Sequence, residues 1–407
     1  MAQFTESAEV YSVLAVLLKP ITTEFGWNRS VFAGAQSVGT LLGGFIGPVL
    51  GPIFDRYGTR WIVFFSFVIL GLTMILMAWI TSVWQFYVLQ IIGRLLVLGV
   101  ISLALTIVIP KWFIAKRGRA IALSGLGGRL GNSVTPLYVQ ALVSLKGWRF
   151  ATATTGIVMW VFTLLPVGLF LRRQPEDMGL LPDGATPEDA AKAKAAASNA
   201  QSSRRQKQDI SLTLRQVVRE PSFYLLVTSM ALGSLVGPAQ NLHMIPYFTD
   251  QGLSPGVAVV VTSVLFLSGA PGSLLFGVLA ERYSIRLILT VDYLLITVGF
   301  FLLLAVDSAP KAFVWGVYLG FVQGGGMILN QILFADYYGR ASLGSIRGVI
   351  TPVSLTANAI GPLAAALAYD ATGNYVAVWF TFGLLRLASA VLIALALPPA
   401  ATQATAT

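Results

Sequence analysis

Long runs of apolar residues constrain this sequence more than any other feature. Twelve stretches of about 18 to 25 residues carry almost no charge. Runs of this length are typical of membrane helices, because in hydrocarbon a helix satisfies all its backbone N–H and C=O groups internally. The predicted spans cover residues 5–20, 31–53, 61–81, 84–109, 119–145, 149–171, 222–248, 256–280, 285–306, 310–335, 346–368 and 374–397.

The composition excludes several function classes. Only 11% of the residues are charged and 56% are hydrophobic, whereas a soluble chain needs more charge to cover its surface. The net charge of +10 does not indicate a nucleic-acid partner, because no basic patch outside the apolar runs contains interleaved aromatic residues. The chain has no cysteine, one histidine and no Walker sequence. We therefore expect no enzyme, no metal and no cofactor.

Charged loops predict the orientation. The most basic loop carries Lys111, Lys116, Arg117 and Arg119, and the loops on the other side are nearly neutral except for Lys146 and Arg149. The positive-inside rule places the basic loops in the cytoplasm. This predicts a multi-pass protein of the inner (cytoplasmic) membrane with both termini cytoplasmic. No cleavable signal peptide is visible, since the first residues are acidic and not basic.

A polar linker divides the chain into two halves. Residues 172–221 are rich in Pro, Ala, Lys, Ser and Gln, and we expect short helices within 188–200 and 211–220. The predicted units are an N-terminal bundle over 1–171, the linker, a C-terminal bundle over 222–397 and a cytoplasmic tail over 398–407.

The two halves are related by an internal repeat. A shift of 226 positions places residues 51–60 on 277–286, Pro20 on Pro246 and Gly26 on Gly252. One unbroken register carries these matches, which predicts a duplicated six-helix unit. In that register the counterpart of Pro221, where the seventh span starts, would precede Met1. The first helix is therefore expected to be short at its N-terminus. Either the helix itself is short, or the true start codon lies further upstream, and we favour the upstream start.

The loop after the second span identifies a family resemblance. Residues 51–60 read G-x-x-x-D-R-x-G-x-R and resemble the signature loop of the major facilitator superfamily. Residues 25–27, 112–120 and 173–184 are similar to bacterial monocarboxylate-porter-like and oxalate/formate-antiporter-like members. The resemblance implies an all-α membrane protein with twelve transmembrane helices in two pseudo-symmetric six-helix bundles around a central cavity. It also implies a monomer in which the bundles rock to give alternating access.

The signature loop and its copy are the predicted gating elements. The family resemblance implies that the acidic residue of the loop caps a helix or pairs with an arginine, and so closes the inner side of the cavity. The alternative is a pair of solvated turns whose basic residues only set the topology. The candidates are Gly51, Asp55, Arg56, Gly58 and Arg60 in the first loop, and Glu281, Arg282 and Arg286 in the second.

Two arginines within apolar spans are the main candidates for substrate binding. Arg94 and Arg129 lie in the fourth and fifth spans beside glycines. A guanidinium at membrane depth costs several kcal/mol, roughly 2.5 or more, and needs a compensating partner. A planar guanidinium suits a carboxylate, which predicts a small organic anion as substrate. The alternative is a structural pair with an acid of the first helix or with backbone carbonyls.

Other polar residues in the spans form a second set of candidates. Substrate contact is predicted for His243, Asn241, Gln323, Asn330 and Asn358, with interhelical hydrogen bonds as the alternative. Glu6 and Glu9 are predicted to carry protons if the first helix spans the membrane, and to be solvated if it is frayed.

The sequence departs from monocarboxylate porters in the eighth span. That family typically carries an arginine there, whereas residues 265–273 contain no cation. Either Arg129 anchors the anion from the other half, or the substrate is not an anion. The predicted function is proton-coupled transport or exchange of a monocarboxylate-like anion. The alternatives are a multidrug or amphiphile efflux antiporter of the same fold, and a channel-like or receptor-like protein without coupled transport.

Overall fold

The computed structural model describes residues 2–6, 11–46, 59–102, 104, 108, 112, 117–171, 212–339 and 343–399. This part of the chain is helical and contains no strand. Its α-helices are α1 Ala2–Thr5, α2 Tyr11–Phe25, α3 Arg29–Phe45, α4 Arg60–Met77, α5 Val83–Arg94, α6 Arg117–Phe170, α7 Leu214–Val217, α8 Pro221–Asp250, α9 Pro255–Arg282, α10 Ile285–Leu303, α11 Ala309–Tyr338, α12 Leu343–Thr372 and α13 Val376–Leu395.

These helices follow the predicted spans closely. Helix α5 continues into a π-helical segment, Leu95–Ile101. Helix α6 is broken by non-helical backbone at Lys146 and Gly147, so its two arms correspond to the fifth and sixth predicted spans. Within the described ranges, nine helical stretches are long and apolar enough to cross a membrane, counting the broken helix once. Helices α2 and α3 are described over 15 and 17 residues and fall below that length.

The predicted end of the first span is wrong by five residues. Helix α2 runs five residues past the predicted end at Pro20 and stops at Phe25. The next residue, Gly26, has a φ of 66°, and a left-handed glycine after the last turn is a common helix terminator. In the linker, the helix expected in 188–200 lies outside the described residues, and the one expected in 211–220 is the single turn α7.

The backbone carries the repeat seen in the sequence. Positive φ angles occur at Gly26 (66°) and Gly252 (88°), and again at Gly147 (81°) and Gly373 (73°). Each pair is separated by the same 226 positions that align residues 51–60 with 277–286. The turns that follow corresponding helices of the two halves therefore contain a glycine with positive φ at the same position.

Among the described residues, three helix pairs make most of the contacts between the halves. Helix α2 packs against α8, α3 against α12, and α6 against α9. Polar contacts cross these pairs. For example, the Ser37 hydroxyl donates to the Ala359 carbonyl at 2.5 Å, and the Ser263 hydroxyl donates to the Ser133 carbonyl at 2.7 Å. The remaining strong contacts, such as α9 with α11 and α10 with α13, lie within one half.

Glycine permits the close approach of α9 and α11. A Cβ atom at Gly272 would overlap the Phe321 carbonyl group. We expect Gly272→Ala to lower stability by about 1–3 kcal/mol, because the two backbones must separate. Thermal unfolding in detergent measures this loss. The matched control is Gly277→Ala on the same helix, where the nearest atom to the new Cβ lies 4.0 Å away. Equal unfolding temperatures for the two variants would contradict the close-packing account.

Candidate functional site

A cavity of about 340 Å³ lies between the two halves. Helices α6, α9 and α11 supply most of its walls, and Glu6, the residue after α1, also lines it. Arg129, near the middle of the first arm of α6, is the one cation among the described residues that line it. The lining residues are Glu6, Gly125, Gly128, Arg129, Asn132, Leu265, Phe266, Gly269, Gly320, Gln323, Gly324 and Met327.

The guanidinium of Arg129 reaches from the N-terminal half to the C-terminal half. Its Nη2 donates to the Ser273 hydroxyl at 2.8 Å and lies 3.5 Å from the sulfur of Met327. Glycine at position 269 makes room, since a Cβ there would lie 2.8 Å from Nη1 of Arg129. Among the described residues, no carboxylate lies within salt-bridge distance of this guanidinium. In the part of the chain that the structure describes, the side chains that contact the Arg129 guanidinium are therefore neutral.

Ser273 fixes the position of this guanidinium. Its Oγ lies 2.8 Å from the carbonyl oxygens of both Gly269 and Gly324. A hydroxyl has a single proton, so it donates to one carbonyl at a time and keeps its lone pairs for Arg129. Helices α9 and α11 thus orient Ser273, which in turn holds Nη2 of Arg129 at the wall of the cavity.

An acid and two amides complete the polar wall. The Oε2 atom of Glu6 is buried and has no hydrogen-bond partner among the described residues. Gln323 donates to the side-chain oxygen of Gln240 on α8 at 2.8 Å. Asn132 lines the cavity one turn after Arg129. Glu9, the other predicted proton carrier, lies outside the described residues.

Two predicted substrate residues lie away from this cavity. Arg94 is buried in the N-terminal half, where its Nη2 lies 3.4 Å from the Thr40 hydroxyl. Asn330 donates to the Gly326 carbonyl at 2.7 Å and accepts from the Tyr293 hydroxyl at 3.1 Å, both within the C-terminal half. Neither residue is among those that line the cavity.

The other three predicted residues are on α8 and α12. His243 is fully buried, with Nδ1 2.9 Å from the Tyr375 hydroxyl and Nε2 3.0 Å from the Pro362 carbonyl oxygen. Asn241 and Asn358 are partly exposed, and neither they nor His243 line the cavity that contains Arg129.

The predicted gating loops are described only in part. Gly51, Asp55, Arg56 and Gly58 lie outside the described residues. Arg60 donates to the Gly168 carbonyl near the end of α6. In the second loop, Glu281 and Arg282 are exposed at the end of α9, and Arg286 lies in the first turn of α10.

The structure contains a charged cluster that the sequence analysis did not predict. On the face opposite Arg60 and Arg286, Arg29 contacts Asp250 and Asp370, and Lys19 also pairs with Asp250. The sequence signal is the presence of charges at helix ends on a side whose loops are otherwise nearly neutral. Their partners are more than 200 positions apart in the chain, so the sequence alone does not pair them.

Comparisons with known proteins agree with this architecture. The chain is 22% identical over 76% of its length to an uncharacterized transporter of Saccharomyces cerevisiae, and 22% identical over 78% to the aspyridones efflux protein of Emericella nidulans. It spans only 44% and 59% of those relatives. It is also 22% identical to monocarboxylate transporter 12 of Rattus norvegicus, covering 71% of this chain and 61% of that protein.

Solved structures share the fold over nearly the whole chain. The crystal structure of a D-xylose–proton symporter matches with a TM-score of 0.71 at 14% identity, covering 98% of this chain and 96% of that one. A bacterial homologue of the human lysosomal transporter Spinster matches with a TM-score of 0.66 at 16% identity, covering 97% and 93%.

The family profile extends over the chain from end to end. Two overlapping matches to the Major Facilitator Superfamily cover residues 2–354 and 244–407. This confirms the predicted all-helical major facilitator fold and the prediction that the chain is not an enzyme. The protein belongs to the Major Facilitator Superfamily of membrane transporters.

Proposed function

We propose that this transporter carries a small, monocarboxylate-like organic anion, and that Arg129 binds its carboxylate. The observation that carries the proposal is a guanidinium in the cavity between the halves whose contacts, within the described residues, are the neutral Ser273 and Met327. A planar guanidinium can form two parallel hydrogen bonds with a carboxylate. An anion entering this cavity would supply the negative charge that no described residue places beside Arg129.

The missing cation of the eighth span supports the same assignment. Helix α9, which is this span, has no cation between residues 265 and 273. Arg129 extends from α6 to Gly269 and Ser273 on that helix. The positive charge therefore stands beside the eighth span although it comes from the other half. Binding an anion there would join the two halves at the middle of the membrane, where such transporters bind substrate.

Glu6 is the proposed proton carrier. It lines the same cavity as Arg129 and has a buried carboxylate oxygen without a hydrogen-bond partner in the described part of the chain. A carboxyl at membrane depth is neutral when protonated and costly when charged. Proton binding at Glu6 and anion binding at Arg129 would each change the charge of one small cavity, which couples the two events.

Efflux of an amphiphile is the second candidate. Two of the fungal relatives are named as efflux proteins, and Leu265, Phe266 and Met327 give the cavity an apolar side. The positive charge of Arg129, which no carboxylate pairs within the described residues, disfavours a cationic drug. We further propose that the protein is a monomer of the inner membrane with both termini in the cytoplasm, following the basic loops.

Ligand-induced stabilisation of the purified protein tests the substrate class. A ligand at about 100 times its Kd stabilises the folded state by about 2.7 kcal/mol. We expect one or more small monocarboxylates to raise the unfolding temperature of the wild type, with no rise for organic cations of similar size. A rise with cations or neutral amphiphiles only would contradict the anion assignment and favour efflux.

A further inference from the structure

One arginine joins the two halves on the face opposite the signature loop. Arg29 begins α3 of the N-terminal half, and its side chain is only 10% exposed. Its Nη2 lies 2.9 Å from Asp250 Oδ2, and its Nη1 donates to the Tyr375 hydroxyl at 2.6 Å. The guanidinium carbon also sits 3.7 Å above the ring of Tyr369. Every one of these partners belongs to the C-terminal half.

Two further contacts cross at the same place. Asp370, near the end of α12, accepts hydrogen bonds from the backbone N–H groups of Arg29 at 3.1 Å and Ser30 at 2.9 Å. Its carboxylate therefore caps the start of α3 from the other half, where negative charge is favourable. Lys19 places its Nζ 2.7 Å from Asp250 Oδ1. In every case the N-terminal half supplies the donor and the C-terminal half supplies the acceptor.

The hydrogen bonds of His243 determine its tautomer and connect it to this cluster through Tyr375. Its Nε2 faces the Pro362 carbonyl, which can only accept, so this nitrogen carries the proton. In the neutral ring Nδ1 is then an acceptor, and the Tyr375 hydroxyl donates to it. The phenol oxygen remains free to accept from Arg29. The chain of donors thus runs from Arg29 through Tyr375 to His243, and it holds the phenol in position for the guanidinium.

The internal repeat explains why these charges pair across the halves. At the shift of 226 positions, Glu24 corresponds to Asp250 and Arg149 corresponds to Tyr375. In the N-terminal half Glu24 forms an ion pair with Arg149, so that acid is satisfied within its own half. In the C-terminal half a tyrosine replaces the arginine, and Asp250 takes its cations, Lys19 and Arg29, from the other half. Because of this difference, Glu24 makes an ion pair within its own bundle, whereas the equivalent Asp250 makes a contact between the two bundles.

We propose that Arg29, Asp250 and Asp370 form a gate that closes the face opposite the signature loop, with Tyr375 and His243 positioning Arg29. The gate is closed in this structure. Opening the cavity toward that face requires Arg29 and Lys19 to leave their carboxylates and Asp370 to release the start of α3. Loss of one partner leaves a charge in a poorly hydrated site, which favours separation of the halves. The proposal does not depend on the identity of the substrate.

Thiol labelling in intact cells tests the gate. The chain has no cysteine, so Ser37→Cys introduces a single thiol in a buried position between α3 and α12, two turns below Arg29. In this background we expect Arg29→Gln and Asp250→Asn to raise the rate of labelling by an external, membrane-impermeant maleimide by about tenfold, which corresponds to about 1.4 kcal/mol. Arg29→Lys keeps the charge beside Asp250 and is expected to label at an intermediate rate.

The repeat supplies a matched control. Arg149→Gln removes the corresponding ion pair, which lies within one half, and we expect labelling at the background rate. Tyr375→Phe removes only the phenol oxygen and should label faster than the background. Labelling of Arg29→Gln at the background rate would overturn the gate. So would equal acceleration by Arg149→Gln, because the effect would then be a general loosening of the outer ends of the helices.

Discussion

Replacing Arg129 with Gln is expected to lower kcat/KM for carboxylate uptake by about 100-fold. Truncating one partner of a buried, hydrogen-bonded charge pair costs about 2–5 kcal/mol, and each 1.4 kcal/mol is a factor of ten. Glutamine retains an N–H donor for Ser273. It lacks the positive charge and the second parallel N–H donor that a carboxylate would use. Initial rates of labelled-acid uptake into proteoliposomes measure the effect.

Two companion variants make the Arg129 result specific. Arg129→Lys retains the charge but cannot form two parallel hydrogen bonds, so we expect a smaller loss. Arg149→Gln removes an arginine whose side chain is 40% exposed in an ion pair away from the cavity, and uptake should stay near the wild-type rate. Normal uptake by Arg129→Gln, with the protein folded, would exclude Arg129 as the anion-binding group.

Glu6→Gln is expected to uncouple the transporter. One coupled proton supports about tenfold accumulation for each pH unit across the membrane, since each factor of ten is 1.4 kcal/mol. A neutral amide at position 6 cannot pick up or release that proton. We therefore expect accumulation under an inward proton gradient to fall to simple equilibration, while exchange of internal for external anion continues. Parallel accumulation and exchange assays on the same proteoliposomes separate these two activities.

Glu24→Gln is the matched control for Glu6→Gln. Glu24 lies near the C-terminal end of α2, where it pairs with Arg149, and it does not line the cavity that contains Arg129. The same chemical change there should leave proton-driven accumulation in place. If Glu6→Gln accumulates the anion as the wild type does, another group carries the proton.

Most of the fold could be predicted because the membrane restricts the choice of structure. Apolar runs locate the helices, and the repeat relates the halves, as the paired glycines Gly26 and Gly252 show in the backbone. The errors lie at helix ends. Pro20 does not end the first span because a helix can continue past a proline, and the left-handed Gly26 ends it instead.

The site was harder to predict, because periodicity does not identify the neighbours of a polar residue. Arg94 and Arg129 look alike in the sequence, but only Arg129 lines the cavity between the halves. Gln323 and Asn330 lie two turns apart on one helix, yet Tyr293 engages Asn330 within one half. The pairing of Arg29 with Asp250 joins residues 221 positions apart, and only the packing of the halves brings them together.

The central claim is that the cavity around Arg129 carries an organic anion, and uptake by the wild type tests it most directly. Purified protein in liposomes, with an inward proton gradient, would be offered labelled monocarboxylates, with unlabelled carboxylates or organic cations as competitors. We predict saturable uptake of at least one acid that is inhibited by other carboxylates and is unaffected by cations. Folded protein that moves no carboxylate, or uptake that organic cations inhibit and carboxylates do not, would contradict it.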